Sequence, residues 1–339
     1  MLQVFVNDGG TLRAHKGAEG RGAEGQGAEG RREPLPDETV WVDLLAPMPD
    51  EVAKAEALMG LRLPTREQMA EIEESSRLRR IPGAMHVTVL TLAFADTDAP
   101  RLAPVSFVLA RGRLATLHHV DSKPFLDFRR RAAHQGCRTP KAEAVLRALV
   151  EGIVERTAAV LRRVAVELDS LAGGSFRVTA LPAGTEPRDD NRTLKRLGQA
   201  GHRIAKAHES LGSLARMLDF LARGPMGGGV VGKETRRWAR GARLDVTGLD
   251  EYAQFLSRKV GLILDTTLGR INAEQTGIVK LVSVLTVALF PPLLVTSVFG
   301  MNFAAMPEQQ SPAGYPMAIA LTVLAAVAPL WFFKRRGWL

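Results

Sequence analysis

Between Leu281 and Phe333 the chain runs for 53 residues with a single charged side chain, Glu308. Soluble chains carry charge far more often than that, so this stretch constrains the fold more than any other. It holds two uncharged runs of 19 residues each, Leu281–Phe299 and Tyr315–Phe333. As a helix each run is about 28 Å long at 1.5 Å per residue, close to the roughly 30 Å hydrocarbon core of a bilayer. Two such runs together at one end of the chain predict a pair of transmembrane helices rather than a pair of buried core helices.

The whole-chain averages hide this feature. Mean hydropathy is −0.01, and 46% apolar with 24% charged residues is the composition of an ordinary globular protein. Collagen-like, wholly disordered and disulfide-scaffold classes are excluded. Cys137 is the sole cysteine, which leaves no intramolecular disulfide and no cysteine zinc site. The net charge of +9 invites a nucleic-acid reading. The distribution argues against it, because all but four of the charges precede Leu281. The pattern is a large polar region followed by a short membrane module, with no nucleic-acid partner.

The flanks predict orientation. Lys280 precedes the first span, Lys334, Arg335 and Arg336 follow the second, and the connecting segment Gly300–Gly314 has no Lys or Arg. Positive charge stays on the cytoplasmic side, so both termini are expected in the cytoplasm of a multi-pass plasma- or inner-membrane protein. Trp331 and Trp338 suit the interfacial aromatic belt. The start MLQVFVNDGG lacks the charged and apolar regions of a secretory signal.

The first span carries a pattern. Steps of three and four from Thr276 meet Val279, Ser283, Thr286, Phe290, Leu293 and Ser297, one face of a helix with a heptad-type seam. Polar groups at membrane depth face protein or water rather than lipid. Two readings fit: a pore wall with Phe290 and Leu293 as a dewetting constriction, or helix packing through small residues. Pro291 and Pro292 lack N–H groups, which predicts a kink in mid-span. In the second span, Thr322 is the one strongly polar side chain, and a helix satisfies it internally, so this span is expected to face lipid.

The first span ends in Gly300-Met301-Asn302, and Met306-Pro307-Glu308 follows in the loop. Here the chain resembles the CorA family of divalent-cation channels and transporters, whose signature is Gly-Met-Asn at the outer end of the first of two C-terminal membrane helices. The string LFPPLLVTSVFGMNFAAMPE carries the resemblance, with Gly314-Tyr315-Pro316 and the basic end KRRGWL. The specific match covers Asn272 to Leu339; WVDLLAPMPDEV and LPTREQMAEIEESSRL are similar to the family's cytosolic domain.

The resemblance implies a homopentamer in the lipid bilayer, with first helices around a central pore and Asn302 as a ring of five amides at its mouth. A hydrated Mg²⁺ keeps several waters, and neutral amide oxygens can accept from them without trapping the ion. Gly300 would let backbones approach closely, and Met301 is expected to pack against a neighbouring helix. Glu308 would concentrate cations at the mouth, or be an ordinary solvated loop residue. Lys334, Arg335 and Arg336 would ring the inner mouth, as topology determinants or as a contribution to gating. Members with a Met-Pro-Glu loop look like magnesium transporters, and the zinc-handling ZntB-like branch tends to have Gly-rich loops. The transported ion is therefore expected to be Mg²⁺, with Co²⁺, Ni²⁺ and Zn²⁺ as alternatives. The family senses cytosolic Mg²⁺ through acidic residues between subunits. Asp96 and Asp98, in the turn ADTDAP, are regulatory metal candidates with two hard oxygens close together, against a plain solvated turn.

The polar region reads as three parts. LQVFVN, TVWVDLL, MHVTVLTLAF, PVSFVLA and RLATLHH have strand patterns, with helical patterns at 50–59, 65–74 and 123–135. That predicts a cytosolic α/β domain over 1–139, interrupted at 17–33 by a period-five Gly-Ala-Glu tract expected to be disordered. Long cytosolic helices are expected over 140–243. A stalk helix over 244–280 should lead into the pore domain, 281–339, with spans at 281–301 and 315–333. His118 and His119 are adjacent and face opposite sides of a strand, so they are not a metal pair. The run from Glu71 to Ser76 reads as a solvated helix face. No arrangement demands nucleophilic or acid–base catalysis, and there is no Walker-type phosphate loop, so a non-enzymatic transporter without a resident cofactor is expected. The competing class is a membrane-anchored sensor or scaffold that conducts nothing, for which the prolines and the hydroxyl seam would have no use.

Overall fold

The computed structural model describes residues 1–15, 36, 38–71, 73, 77–97, 99–134, 141–176, 190–223, 230–301 and 313–336. The chain divides into two compact units, Met1–Ile263 and Leu264–Leu339. The Gly-Ala-Glu tract, Asp98, Cys137, Asn302 and Glu308 lie outside the described residues.

The first unit is built on a seven-stranded sheet in the order β2-β1-β3-β7-β6-β5-β4. Its strands are β1 (Leu2–Asp8), β2 (Thr11–Ala14), β3 (Thr39–Leu45), β4 (Leu78–Ile81), β5 (Ala84–Ala93), β6 (Arg101–Ala110) and β7 (Arg113–His118). All neighbours are antiparallel except β3 and β7, which are parallel. Five of these strands match the expected segments. β2 and β4 were not expected: they are four residues each and polar, formed because Gly9-Gly10 and Pro82-Gly83 turn the chain back on its predecessor or successor. Gly9 and Gly10 have φ of 57° and 86°, the pair of positive values that a tight two-residue hairpin turn requires.

Side chains alternate between two cores, as the period of two demands. Phe5, Trp41, Phe107 and Leu109 point to one face and join the long helices. Val4, Val42, Val108 and Ala110 point to the other and join α1 (Pro49–Met59) and α2 (Arg66–Ala70). The helix expected over 65–74 is thus shorter. Thr65 and Gln68 cap its start reciprocally, Thr65 Oγ1 accepting from the Gln68 amide and Gln68 Oε1 from the Thr65 amide; the helix ends at Glu71.

After β7 come α3 (Lys123–His134), α4 (Ala142–Phe176), α5 (Asp190–Ala222) and α6 (Lys233–Phe299), and then α7 (Gly314–Arg335). β4 covers only Ala84–Val87 of β5, leaving the rest of that strand with an open edge. Helix α5 closes it: Ser210 Oγ donates to the Leu90 carbonyl and Ser213 Oγ accepts from the Leu90 amide. Two small hydroxyls thereby satisfy backbone groups that would otherwise be orphaned. α6 begins eleven residues before the expected Leu244. Its start is set by a carboxylate, Glu143 Oε2 accepting from the Gly232 amide at 3.0 Å, where the positive end of the helix favours a negative charge. Arg147 to Glu234 and Trp238 Nε1 to Glu151 then fasten its first turns to α4.

One polar group sits in the middle of the sheet. Asp43 on β3, fully buried, accepts from Thr116 Oγ1 at 2.5 Å, His118 Nε2 at 3.0 Å and Arg129 Nη1 at 2.6 Å. Arg129 also donates to Asp121 at 2.6 Å, and His118 Nδ1 lies 3.0 Å from the Val120 carbonyl. Both imidazole nitrogens face acceptors, so the geometry fits the imidazolium. Two anions and two cations then balance, which is the condition for holding charge in a core.

Candidate ion pathway

The proposed site begins with the seam on α6. Thr276, Val279, Thr286, Phe290, Leu293 and Ser297 are exposed, Phe290 by 61%, and Ser283 is half-buried. The opposite face carries Val284 and Ala288, 6% and 8% exposed, with Pro291, Pro292 and Val295 half-buried. The seam therefore lies on the face that the second unit leaves open. On α7 a half-buried stripe of Ala318, Thr322, Ala325, Ala326, Pro329 and Phe333 contrasts with exposed residues around the rest of the helix. Both helices are long and apolar enough to cross a membrane, with peak mean hydropathies of 2.2 and 2.0.

The hydroxyls have a defined polarity. Thr276 Oγ1 donates to the Asn272 carbonyl at 2.7 Å and Thr286 Oγ1 to the Val282 carbonyl at 2.8 Å. Each proton is thus turned back onto the helix, and each oxygen offers its lone pairs outward. At these two positions the face accepts hydrogen bonds rather than donating them, which suits the water shell of a cation, whose protons point away from the ion. Thr322 does the same to the Ala318 carbonyl, but on the half-buried stripe of α7.

α6 stays helical through Pro291 and Pro292. Thr296 Oγ1 donates to the Pro292 and Leu293 carbonyls at the following turn. The helix closes at Gly300, whose amide bonds to the Thr296 carbonyl at 2.9 Å. A Cβ there would lie 3.1 Å from that same oxygen, so the close turn favours glycine. Met301 is exposed.

At the end of α7, Lys334, Arg335 and Arg336 are exposed. The Arg335 guanidinium lies 5.3 Å from the Trp331 ring centroid and that of Arg336 5.5 Å from Phe332. Two of the three cations thus lean back along the aromatic collar.

Asp96 has partners of its own. Arg156 and Arg163 on α4 each donate to one of its carboxylate oxygens. Burial pushes its pKa up, but the two guanidiniums outweigh it and hold the carboxyl below its usual value. A metal at Asp96 would compete with both. No group of three or more His, Cys, Asp or Glu is placed to hold a metal ion among the described residues. His118 faces Asp43 in the core, away from such a role.

The seam of the span begins at Thr276. Continued towards the N-terminus, the same steps meet Asp265, Arg258, Phe255, Glu251 and Leu244, all exposed.

The comparisons with known proteins agree with this architecture. The family model for CorA-like Mg²⁺ transporter protein matches residues 36–335. The chain belongs to the CorA family of membrane transporters, and its two C-terminal apolar helices are the transmembrane pair. Among similar proteins, the magnesium transport protein CorA of Haemophilus ducreyi is 31% identical over 303 residues, covering 89% of this chain and 93% of that protein. That of Escherichia coli is 32% identical, covering 88% and 92%. The CorA magnesium transporter of Methanocaldococcus jannaschii superposes with a TM-score of 0.74 at 17% identity, covering 100% of this chain and 99% of that one. The cytoplasmic domain of ZntB from Vibrio parahaemolyticus gives 0.51 at 14% identity over 69% and 88%; both likenesses are of fold.

Proposed function

We propose that this chain forms a homopentameric channel for Mg²⁺ influx across the cell membrane, with both termini in the cytoplasm. The observation that carries this reading is the seam of α6: an open helix face whose hydroxyls at Thr276 and Thr286 only accept. Five such faces around an axis would make a hydrophilic wall, narrowed at Phe290 and Leu293. Asn302 would ring the outer mouth and read the ion through its waters, and Glu308 beside it would raise the local cation concentration. The magnesium transport named for the relatives supports the choice of ion; Co²⁺ and Ni²⁺ are close enough in charge and hydration to follow it. Lys334, Arg335 and Arg336 would surround the inner mouth and hold the topology. The chain is a transporter and not an enzyme in this reading, and Mg²⁺ is its cargo. Gating by cytosolic Mg²⁺ belongs to the same proposal; at Asp96 the ion would compete with Arg156 and Arg163.

The test is uptake into liposomes holding the purified protein and a Mg²⁺ indicator. Wild type should admit Mg²⁺, Asn302→Ala should abolish uptake, and preloading with Mg²⁺ should slow it. Equal uptake by wild type and Asn302→Ala would remove the pore assignment. Zn²⁺ competing better than Mg²⁺ would move the chain to the zinc-handling branch. No flux, with a monomeric mass in mild detergent, would favour a non-conducting anchor.

A further inference from the structure

A cavity of about 300 Å³ opens in the first unit, between α3 and the end of the sheet that carries β1 and β2. Leu2 to Phe5 of β1, Leu45 at the end of β3 and Leu126, Arg129 and Arg130 of α3 form most of its wall. β2 pairs with β1 from Phe5 to Asp8, and past the end of β2 the His15 amide still reaches the Val4 carbonyl at 2.8 Å. Beyond that bond no strand covers this edge of β1 among the described residues, and the cavity takes the space. Its volume is at the small end of ligand sites, which run from roughly 300 to 1,000 Å³.

The wall is part basic and part apolar. Arg129 is only 8% exposed, and Asp43 and Asp121 hold its guanidinium at 2.6 Å each. Those bonds use two of the five N–H donors of a guanidinium. The side chain also borders the cavity, so its ordering is complete before any guest arrives. Asp43, Asp121, His118 and Arg129 balance one another, two anions against two cations. The Met1 ammonium at the same cavity is balanced by Glu51. Arg130, exposed beside them, adds one positive charge that these pairs do not absorb. One surplus cation next to Leu2, Phe5, Leu45 and Leu126 suits a guest with one negative charge and a small apolar body.

We propose that this cavity binds a small organic monocarboxylate, its carboxylate on Arg129 and Arg130 and its apolar body against Leu2, Phe5 and Leu126. A carboxylate matches the planar fork of a guanidinium. An inorganic anion would meet the charge but leave the apolar wall facing water, and an amine would bring a third positive charge to two guanidiniums. Asp121, with a side chain 35% exposed, can turn to water where the guest takes its place on Arg129; Asp43, fully buried, stays and keeps the guanidinium fixed. The site lies wholly in the first unit and does not depend on the pore reading.

The experiment is calorimetric titration of benzoate into the full-length protein in detergent micelles near neutral pH, with the heat of protein-free micelles subtracted. Acetate, benzylamine and phenyl phosphate are the comparison probes. Benzoate should bind at one site per chain and raise the melting midpoint. Acetate, which lacks the apolar body, should bind at least roughly tenfold more weakly. Benzylamine should not bind, and phenyl phosphate, with more than one charge, should bind no tighter than benzoate. Arg130→Gln should weaken benzoate roughly two- to fivefold, the range for one solvent-accessible ion pair, and Arg130→Lys should recover part of that loss. Leu126→Trp, which fills the cavity, should abolish binding; should it fail to fold, the two Arg130 variants carry the test. Arg129 is left intact, because its loss would unbalance the core. No benzoate binding, equal binding by wild type and Arg130→Gln, or benzylamine binding as well as benzoate overturns the proposal. Tighter binding of phenyl phosphate overturns the single-charge assignment. Benzoate binding seen only after residues 17–33 are deleted would give the cavity to the chain's own tract and overturn the proposal too. Each of these outcomes leaves the pore reading standing.

Discussion

Asp43 sits where a strand interior should be apolar, and its three partners decide what happens when pH changes. Burial pushes its carboxyl up, but His118, Arg129 and Thr116 outweigh that and hold it below the usual 3.8. Burial likewise pushes His118 down, and the Asp43 carboxylate outweighs it, raising the imidazole above the usual 6.5. The lowered carboxyl contributes stability that is whole above 3.8 and fades as pH falls through its folded value. The raised imidazole contributes stability that is whole below 6.5 and fades as pH rises through its folded value. Both are therefore complete between 3.8 and 6.5. Thermal unfolding followed against pH should show a plateau there and a decline on the alkaline side, and His118→Gln should flatten that decline. A His118→Gln profile parallel to wild type would mean the imidazole is not the titrating group. Asp43→Asn leaves Arg129 buried without its main counter-ion and should cost about 3–5 kcal/mol, measured as a lower midpoint at pH 6.

At the scale of the element, α6 carries the sharpest test. Pro291 and Pro292 have no N–H to offer the Val287 and Ala288 carbonyls one turn earlier. Replacing both by Ala restores those bonds and improves propensity by up to about 3 kcal/mol per position, so the protein should melt no lower. Mg²⁺ uptake in liposomes should nevertheless fall if Phe290 and Leu293 line the proposed pore, because the two missing amide bonds lie in the turn that carries them. Full uptake by the double variant would make the prolines structural passengers. The same helix shows what can be read from sequence. Its apolar and hydroxyl repeat in the span was legible because nothing masks a three–four period among uncharged residues. Its first turns, KETRRWAR, were not, because their helical start depends on Glu143 from another helix. β3 and β5 were legible from their β-branched runs, while β2 and β4 exist only because a turn folds a short polar segment onto a strong strand. Asp43, a lone charge inside TVWVDLL, was the visible trace of the buried quartet, but its partners lie more than seventy residues away.

For the whole molecule the question is what drives the ion. A divalent cation crossing 100 mV gains about 4.6 kcal/mol, at roughly 2.3 kcal/mol per charge. That is more than a thousandfold in equilibrium distribution, since each 1.4 kcal/mol is a factor of ten. The sequence holds no Walker-type phosphate loop, and a passive channel needs none. A proton-coupled carrier of the same fold would instead follow the pH gradient. The two can be separated in liposomes by setting the potential with a K⁺ gradient and valinomycin at equal pH, and then setting a pH gradient at zero potential. A channel should fill faster as the interior becomes negative and ignore the second condition. Uptake that ignores the potential and follows protons would count against the proposed channel and place this chain with coupled carriers. If Lys280, Lys334, Arg335 and Arg336 ring the inner mouth as proposed, they would repel cations there, and raising ionic strength on the inner side alone should increase the initial rate by screening them.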